Sequence, residues 1–451
     1  MNTPRGLIIA APASGSGKTV LTLGLLRALR HAGHDVTGAK AGPDYIDPAF
    51  HAAASGKPAF NLDPWAMRPD TLAGLVAGAS KSSDSAAAET VIVEGVMGLF
   101  DGVHLPDRPD AGSTADLAAM TGWPVVLVVD AGKQAASVGA LVRGFAGHRA
   151  DVTIAGVIFN RVASPAHEAV LRAATIAAAP DVQLLGSVGR NPALTLPERH
   201  LGLIQAGEHE DLERFIDAAA AAVSRAIDLD ALVGLAQVCG LSRPDAAAPE
   251  PLAPLGQRIA VAQDPAFAFS YPATLDGWRA AGAEVLHFSP LANDVPDPAA
   301  DAIYLPGGYP ELHAGTLATA DRFMGGLRDA AERGVKIFGE CGGYMVLGHG
   351  LVDAQGARHA MAGLLPVETS FAERRLHLGY RTARLHRDGP LGPAGGIFRG
   401  HEFHYASILD EQADAPLFEA ENARGEDLGP AGALAGSVCG SFIHLIDRAT
   451  P

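Results

Sequence analysis

What the chain lacks narrows the reading first. No apolar run in its 451 residues approaches the ~20 that a helical membrane span requires. Only three cysteines (Cys239, Cys341 and Cys439) are spread over that length, which is no disulfide framework. Basic side chains are scarce. Against 50 Asp and Glu there are 34 Lys and Arg, leaving a net charge of −16, which disfavours nucleic acid, whose binding rests on neutralised phosphates. The same field repels small anions at long range, so an anionic ligand must be held by a local basic pocket. There is no short internal repeat.

What is present is a globular composition, 48% hydrophobic and 19% charged, long enough for two or three domains. The opening residues, MNTPRGLIIAAPASGSGKT, put a phosphate-loop pattern where a secretory leader would have its cleavage site, so the expected location is the cytoplasm. Apolar runs at 7–10, 36–39, 91–93, 125–129 and 154–159 read as buried strands, with helical spacing between them at 20–29 and 166–179. Strands alternating with helices imply a parallel α/β sheet. Residues 78–89 read as a helix end and surface loop, and 211–227 as an amphipathic, alanine-rich helix. The stretch 244–254 holds four prolines and four alanines, as a linker does. The pattern then restarts with strands at 259–262, 284–288 and 302–305, a helix at 273–281 and another before Val335. The expected organisation is two α/β domains, 1–243 and 258–451, with a linker over 244–257.

APASGSGKT (11–19) lies between a strand and a helix, the context that makes a phosphate loop credible. The N–H groups of Gly15, Ser16, Gly17, Lys18 and Thr19 can wrap phosphate oxygens. Lys18 would reach the β and γ phosphates, and the Thr19 hydroxyl would hold Mg²⁺. Pro12 stands where the strict pattern has its first glycine. Partition ATPases of the ParA/MinD type carry a second lysine five residues before the loop lysine; Ala13 stands there, and the first half more closely resembles the dethiobiotin synthetase type, which activates a carboxylate with ATP. VIVEGVMGLFDG (91–102) ends a strand at Glu94 and runs to Asp101, and GPDYIDP (42–48) supplies Asp44 and Asp47 beside Lys40. Carboxylates at the C-terminal ends of parallel strands lie where ligands bind. Thr19, Asp47 and Glu94 read as the Mg²⁺ oxygens. Taken singly, each acid is equally a helix cap or a solvated loop charge. Asn160, at a strand end in IFNRV, occupies the place from which related enzymes read the adenine edge.

GECGG (339–343) has the form of an elbow that lifts a nucleophile between strand and helix. A helix N-terminus beyond it is expected to lower the Cys341 thiol pKa. His444, about a hundred residues on, is the expected base. Gly307 and Gly308 of YLPGGYPE (304–311) are the expected oxyanion donors. Together these resemble a class I glutamine amidotransferase domain, in which a glutamate usually follows the histidine by two residues. Ile446 stands there and Asp447 comes next, so the third member is open and a Cys–His dyad remains an alternative. His401, Glu402 and His404 are spaced as a weak metal pattern and read as structural or substrate-facing. Cys239 and Cys439 read as bland.

A carboxylate resists ammonia because oxide is a poor leaving group. Phosphorylation removes that obstacle, and a glutaminase supplies unprotonated ammonia beside it. In this order, APASGSGKT, KAGPDYIDP, EGVMGLFDG, LPERHLGL (196–203), YLPGGYPE and GECGGYMVLG closely resemble the cobyrinic and hydrogenobyrinic acid a,c-diamide synthases over nearly the whole chain. That resemblance implies two successive amidations, of the c and then the a acetate of a corrin polycarboxylate, with ATP, Mg²⁺ and L-glutamine. It implies an N-terminal P-loop ATPase domain and a C-terminal amidotransferase domain, and a synthetase site containing Asp44, Glu94 and Asp101. Lys40, Arg199 and His200 are the candidate cations for the substrate. Overall similarity favours the cobalt-free ring. Neither nucleic acid nor membrane is an expected partner, and a homodimer is compatible with the reading. The alternatives are a cobyric acid synthase-like amidase, a P-loop ATPase switch with an inert second domain, and a stand-alone glutaminase with a regulatory nucleotide site.

Overall fold

Runs of Leu, Ile and Val with no polar alternation belong to strands covered on both faces. They form the spine of each half in the computed structural model, which describes residues 4–79, 90–192, 194, 198–199, 202–203, 205–208, 211–241, 251–411 and 415–449. The chain divides into two units, one of residues 1–65 and 72–246 and one of residues 66–71 and 247–451. The main division falls inside the stretch read as a linker, whose residues 244–250 lie outside the described residues, as do 80–89 of the expected surface loop.

In the first unit, β1 (Arg5–Ala10), β2 (Val36–Ala41), β3 (Phe60–Leu62), β4 (Thr90–Glu94), β5 (Val125–Asp130), β6 (Ile154–Val162) and β7 (Gln183–Gly189) form a parallel sheet in the order β3-β2-β4-β1-β5-β6-β7, and β8 (Gln237–Val238) pairs antiparallel with the start of β1. Leu7, Ile8 and Ile9 are fully buried. Gly6 lets Trp123 lie on the sheet, since a Cβ there would fall 2.4 Å from the indole. Helix α1 (Lys18–His31) follows β1, and α2 (Asp47–Ser55) follows β2. The alanine-rich helix α3 (Leu212–Ala226) packs on α1 at Gly24, where a Cβ would meet the Ala219 carbonyl at 2.9 Å. Strand order reverses on either side of β1, which puts the sites described below at the carboxyl ends of β1, β2, β4 and β6.

In the second unit, β9 (Arg258–Ala262), β10 (Glu284–Phe288), β11 (Ala302–Leu305) and β12 (Lys336–Glu340) are parallel neighbours. The sheet continues into strands the apolar pattern does not reveal: β13 (His377–Leu385), β14 (Ile397–His404), β15 (Pro416–Asn422), β16 (Asp427–Ala435), β17 (Val438–Ser441) and β18 (His444–Arg448). The order is β10-β9-β11-β12-β17-β16-β15-β13-β14-β18, parallel as far as β17 and antiparallel beyond. Helix α4 (Gly342–Leu347) leaves the end of β12. Tyr304 and Phe338 stack in the core with ring centres 5.8 Å apart, and Trp278 meets Tyr304 edge-on. Among the described residues, no helix is long and apolar enough to cross a membrane.

Candidate active sites

In the first unit the glycines of the loop do what only glycines can. Gly15 and Gly17 have φ of 76° and 89°, left-handed values that other residues avoid. Gly17 caps α1, and a Cβ on it would lie 2.3 Å from Asn160 Nδ2. That amide donates to the Ser16 carbonyl at 2.9 Å, and the neighbouring Arg161 guanidinium donates to the Gly15 carbonyl at 2.9 Å. Gly17, Asn160, Arg161, Val188, Arg190 and Leu194 line a cavity of about 290 Å³ beside the loop. Asn160 therefore lines this cavity and also braces the loop.

The head of the loop carries a buried charge cluster. Thr19 Oγ1 donates to Glu94 Oε1 at 2.6 Å, and Lys18 Nζ donates to the Met97 carbonyl at 2.6 Å. Lys40, opposite Glu94 in the β2–β4 pairing, forms ion pairs with Asp47 and, at 3.1 Å, with Glu94. Its charge thus faces two carboxylates inside the protein. His51 Nε2 lies 2.7 Å from Glu94 Oε2. Burial would raise Glu94, but Lys40 and His51 hold it well below the usual carboxylate range. Burial would lower Lys40, but Asp47 and Glu94 outweigh it and hold it above its ordinary value. Burial and then Asp44 push Asp47 up to about 7, against Lys40. Burial lowers Lys18, against Glu94.

Asp44 Oδ1 accepts the N–H groups of Ile46 and Asp47 at 2.7 and 2.9 Å, so it caps the entry to α2. Asn61 holds that turn by donating to the Gly42 and Asp44 carbonyls. Asp101 is exposed and accepts the Gly98 N–H at 2.8 Å. His200 and the side chain of Arg199 lie outside the described residues. Thr19 and Glu94 form an all-oxygen pair at the loop, a donor set that fits Mg²⁺, which binds through one or two protein oxygens plus phosphates. Among the described residues, no three His, Cys, Asp or Glu side chains gather as a metal cage, the His401–His404 stretch included.

In the second unit Cys341 has φ 46° and ψ −100°, an elbow conformation unusual for any residue but glycine. Its N–H donates to the Ser441 carbonyl at 2.8 Å. The end of β11 and the turn after it pack closely on the elbow glycines. A Cβ on Gly343 would lie 2.0 Å from the Leu305 carbonyl oxygen, and one on Gly342 would lie 3.0 Å from the Gly308 nitrogen. A Cβ on Gly307 would strike His444 Cε1 at 2.4 Å. Cys341, His444, Gly307 and Gly308 are thus brought to one place.

The thiol corrects the expectation of a lowered pKa. Burial, then Glu311, pushes it up, outweighing the N–H of Gly342 at the start of a helix of only six residues. Burial, then His401, pushes His444 well below its ordinary value. Both shifts favour the neutral forms of the thiol and the imidazole.

His401 stacks on His444 with ring centres 5.1 Å apart and lies 3.4 Å from the Tyr271 hydroxyl; burial, then Arg381, lowers it to about 3. His404 stacks on His377 and Phe442 and is likewise lowered to about 3, chiefly by burial. Asp447 is fully buried and accepts the Arg68 N–H at 2.8 Å and its guanidinium at 2.9 Å; residues 66–71 belong to this unit. Cys439 is buried in β17, opposite Phe338. Sequence reasoning missed His51, whose distance from Glu94 in the chain hides their contact. It also passed over Glu340, treated as the variable position of the elbow.

A phosphate loop with a carboxylate cluster in one unit, and an elbow nucleophile with its histidine and glycine turn in the other, define a nucleotide-dependent enzyme with its own glutamine amidotransferase domain. Residues 7–204 match the CobQ/CobB/MinD/ParA nucleotide binding domain, and residues 258–450 match the CobB/CobQ-like glutamine amidotransferase domain. Proteins named hydrogenobyrinate a,c-diamide synthase from a Sinorhizobium species, Brucella suis biovar 1 and Rhodobacter capsulatus are 56%, 55% and 53% identical to it. Each alignment covers 98% of this chain, and 99%, 98% and 99% of the respective relatives. The chain belongs to the hydrogenobyrinate a,c-diamide synthase family.

Proposed function

We propose that this chain converts the a and c acetate carboxylates of hydrogenobyrinic acid to amides, using ATP, Mg²⁺ and L-glutamine, in the cytoplasm. The observation that carries the reading is the pairing of two half-sites in one chain that matches diamide synthases from end to end. In the first half-reaction a corrin carboxylate oxygen attacks the γ-phosphorus of ATP, giving an acyl phosphate and ADP. The loop N–H groups and Lys18 neutralise the phosphates. Mg²⁺, held by Thr19 and Glu94 with Asp47 close by, supplies further positive charge when bound. Lys40 holds Glu94 ionised and pairs with Asp47, and Asp44 and Asp101 shape the loops that bear them.

In the second half-reaction Cys341 Sγ attacks the glutamine amide carbon as His444 takes its proton. The N–H groups of the Gly307–Gly308 turn receive the oxyanion. His444 passes the proton to the leaving nitrogen, and water then cleaves the thioester to glutamate. Ammonia attacks the acyl phosphate, the C–N bond forms and phosphate leaves.

Mass spectrometry of hydrogenobyrinic acid with ATP and Mg²⁺ tests this. Two successive acid-to-amide mass changes are expected with glutamine. In Cys341→Ala they disappear with glutamine and persist with ammonium. An unchanged mass, with or without cobalt in the ring, would sink the reading.

A further inference from the structure

A histidine that takes a proton from a thiol needs something to fix its ring and to face the positive charge it acquires. The usual glutamate position is filled by Ile446. In the β14–β18 pairing Arg399 lies opposite Asp447 and Gly400 opposite Leu445, so Ile446 is the extra residue of a bulge and is buried as an apolar side chain. Asp447 is occupied by Arg68.

Among the described residues, a further carboxylate stands beside the ring. Glu340 ends β12, immediately before the nucleophile, and only 2% of the residue is exposed. Its Oε1 accepts the N–H of Leu445, the peptide that follows His444, at 2.9 Å. Its Oε2 accepts the Tyr304 hydroxyl at 2.6 Å and lies 4.0 Å from His444 Nδ1. Tyr304 is itself held between Phe338 and Trp278.

We propose that Glu340, held by Tyr304, is the positioning residue for His444 and replaces the missing glutamate of the triad. The proposal rests on the reading of Cys341 and His444 as the glutaminase pair. One dipeptide then carries both nucleophile and orienter, so the base is referenced to the sulfur through a single turn of backbone. Glu340 gains no proton in the cycle. The proton moves from Sγ to His444 and on to the leaving nitrogen, while the Glu340 carboxylate faces the transient imidazolium. Among the described residues, the other titratable groups around the pair include Tyr304 and Tyr271 beside Glu340 and His401, Cys341 next in the chain, His401 on the ring of His444 with Arg381 nearby, His404, and Glu311 and Glu402 towards the thiol.

The test is steady-state glutamate release by the full chain at pH 8, where Glu340 is ionised, read beside amidation with ammonium. Glu340→Gln keeps an acceptor for the Leu445 N–H but removes the charge. The expected result is a fall in kcat of about 100-fold, an unchanged KM for glutamine, and intact ammonium-supported amidation. A wild-type kcat in this variant, with activity lost in Cys341→Ala, would overturn the proposal and leave the glutaminase reading standing. Absence of glutamate release by the unaltered chain would overturn both. If Glu340→Gln loses ammonium-supported amidation as well, Tyr304→Phe decides. It keeps the ring stack but frees Oε2, so kcat should fall about tenfold at constant KM, and a wild-type kcat there rejects the role.

Discussion

A carboxyl group buried next to a neutral imidazole leaves a thermodynamic trace. Burial pushes Glu340 up to about 7 from 4.5, against its bonds from Tyr304 and Leu445. The folded chain therefore holds this proton more tightly than the unfolded chain does. The associated stability is complete below pH 4.5 and is lost as pH rises through 7. Glu340→Gln cannot titrate. Between pH 5 and pH 8 its stability relative to the parent should shift in its favour, by about 3 kcal/mol at most. Urea unfolding at the two pH values measures this, and a constant difference would mean that Glu340 is ionised throughout.

Single elements tie distant parts of the chain to these groups. Helix α2 brings the fully buried His51 to Glu94, and Gly38 on β2 leaves the room, because a Cβ there would lie 2.6 Å from His51 Cβ. His51→Asn should therefore lower ATP-dependent amidation about tenfold with either nitrogen source and leave glutamate release unchanged; equal loss of both activities would point to misfolding. Strand β18 depends similarly on Arg68, whose guanidinium is partly exposed while Asp447 is sealed. Arg68→Ala keeps the backbone N–H to Asp447 but leaves that buried carboxylate without its cation, at a cost of about 3 kcal/mol in urea unfolding.

The elements themselves differ in how openly the sequence announces them. Parallel strands such as VVLVVD (125–130) are apolar on both faces and stand out, as do the glycines of the loop and elbow. DLGPAGALA (427–435) does not, because Gly and Pro lower strand propensity and only its pairing with β15 and β17 makes it a strand. Glu340 and His51 act through contacts 105 and 43 residues apart in the chain, which no local pattern encodes.

The molecule as a whole bears 16 more negative than positive charges, and its proposed substrate is a polycarboxylate. Their mutual repulsion is long-ranged, so moderate salt should raise kcat/KM for the corrin by screening it, while kcat/KM for zwitterionic glutamine stays flat. Falling corrin values in the same salt series would instead mark attraction by a local basic pocket. The elbow has a consequence on a longer scale. At φ 46° Cys341 holds a backbone shape that glycine adopts without strain, and such outliers cost on the order of 1–3 kcal/mol. Cys341→Gly should therefore yield a chain at least as stable in urea and without glutaminase activity. A single base change separates cysteine from glycine codons. A lineage fed with ammonia could drift to that sturdier, disarmed form within one mutation, so on this reading it is the need for glutamine nitrogen that holds a cysteine at a turn shaped for glycine.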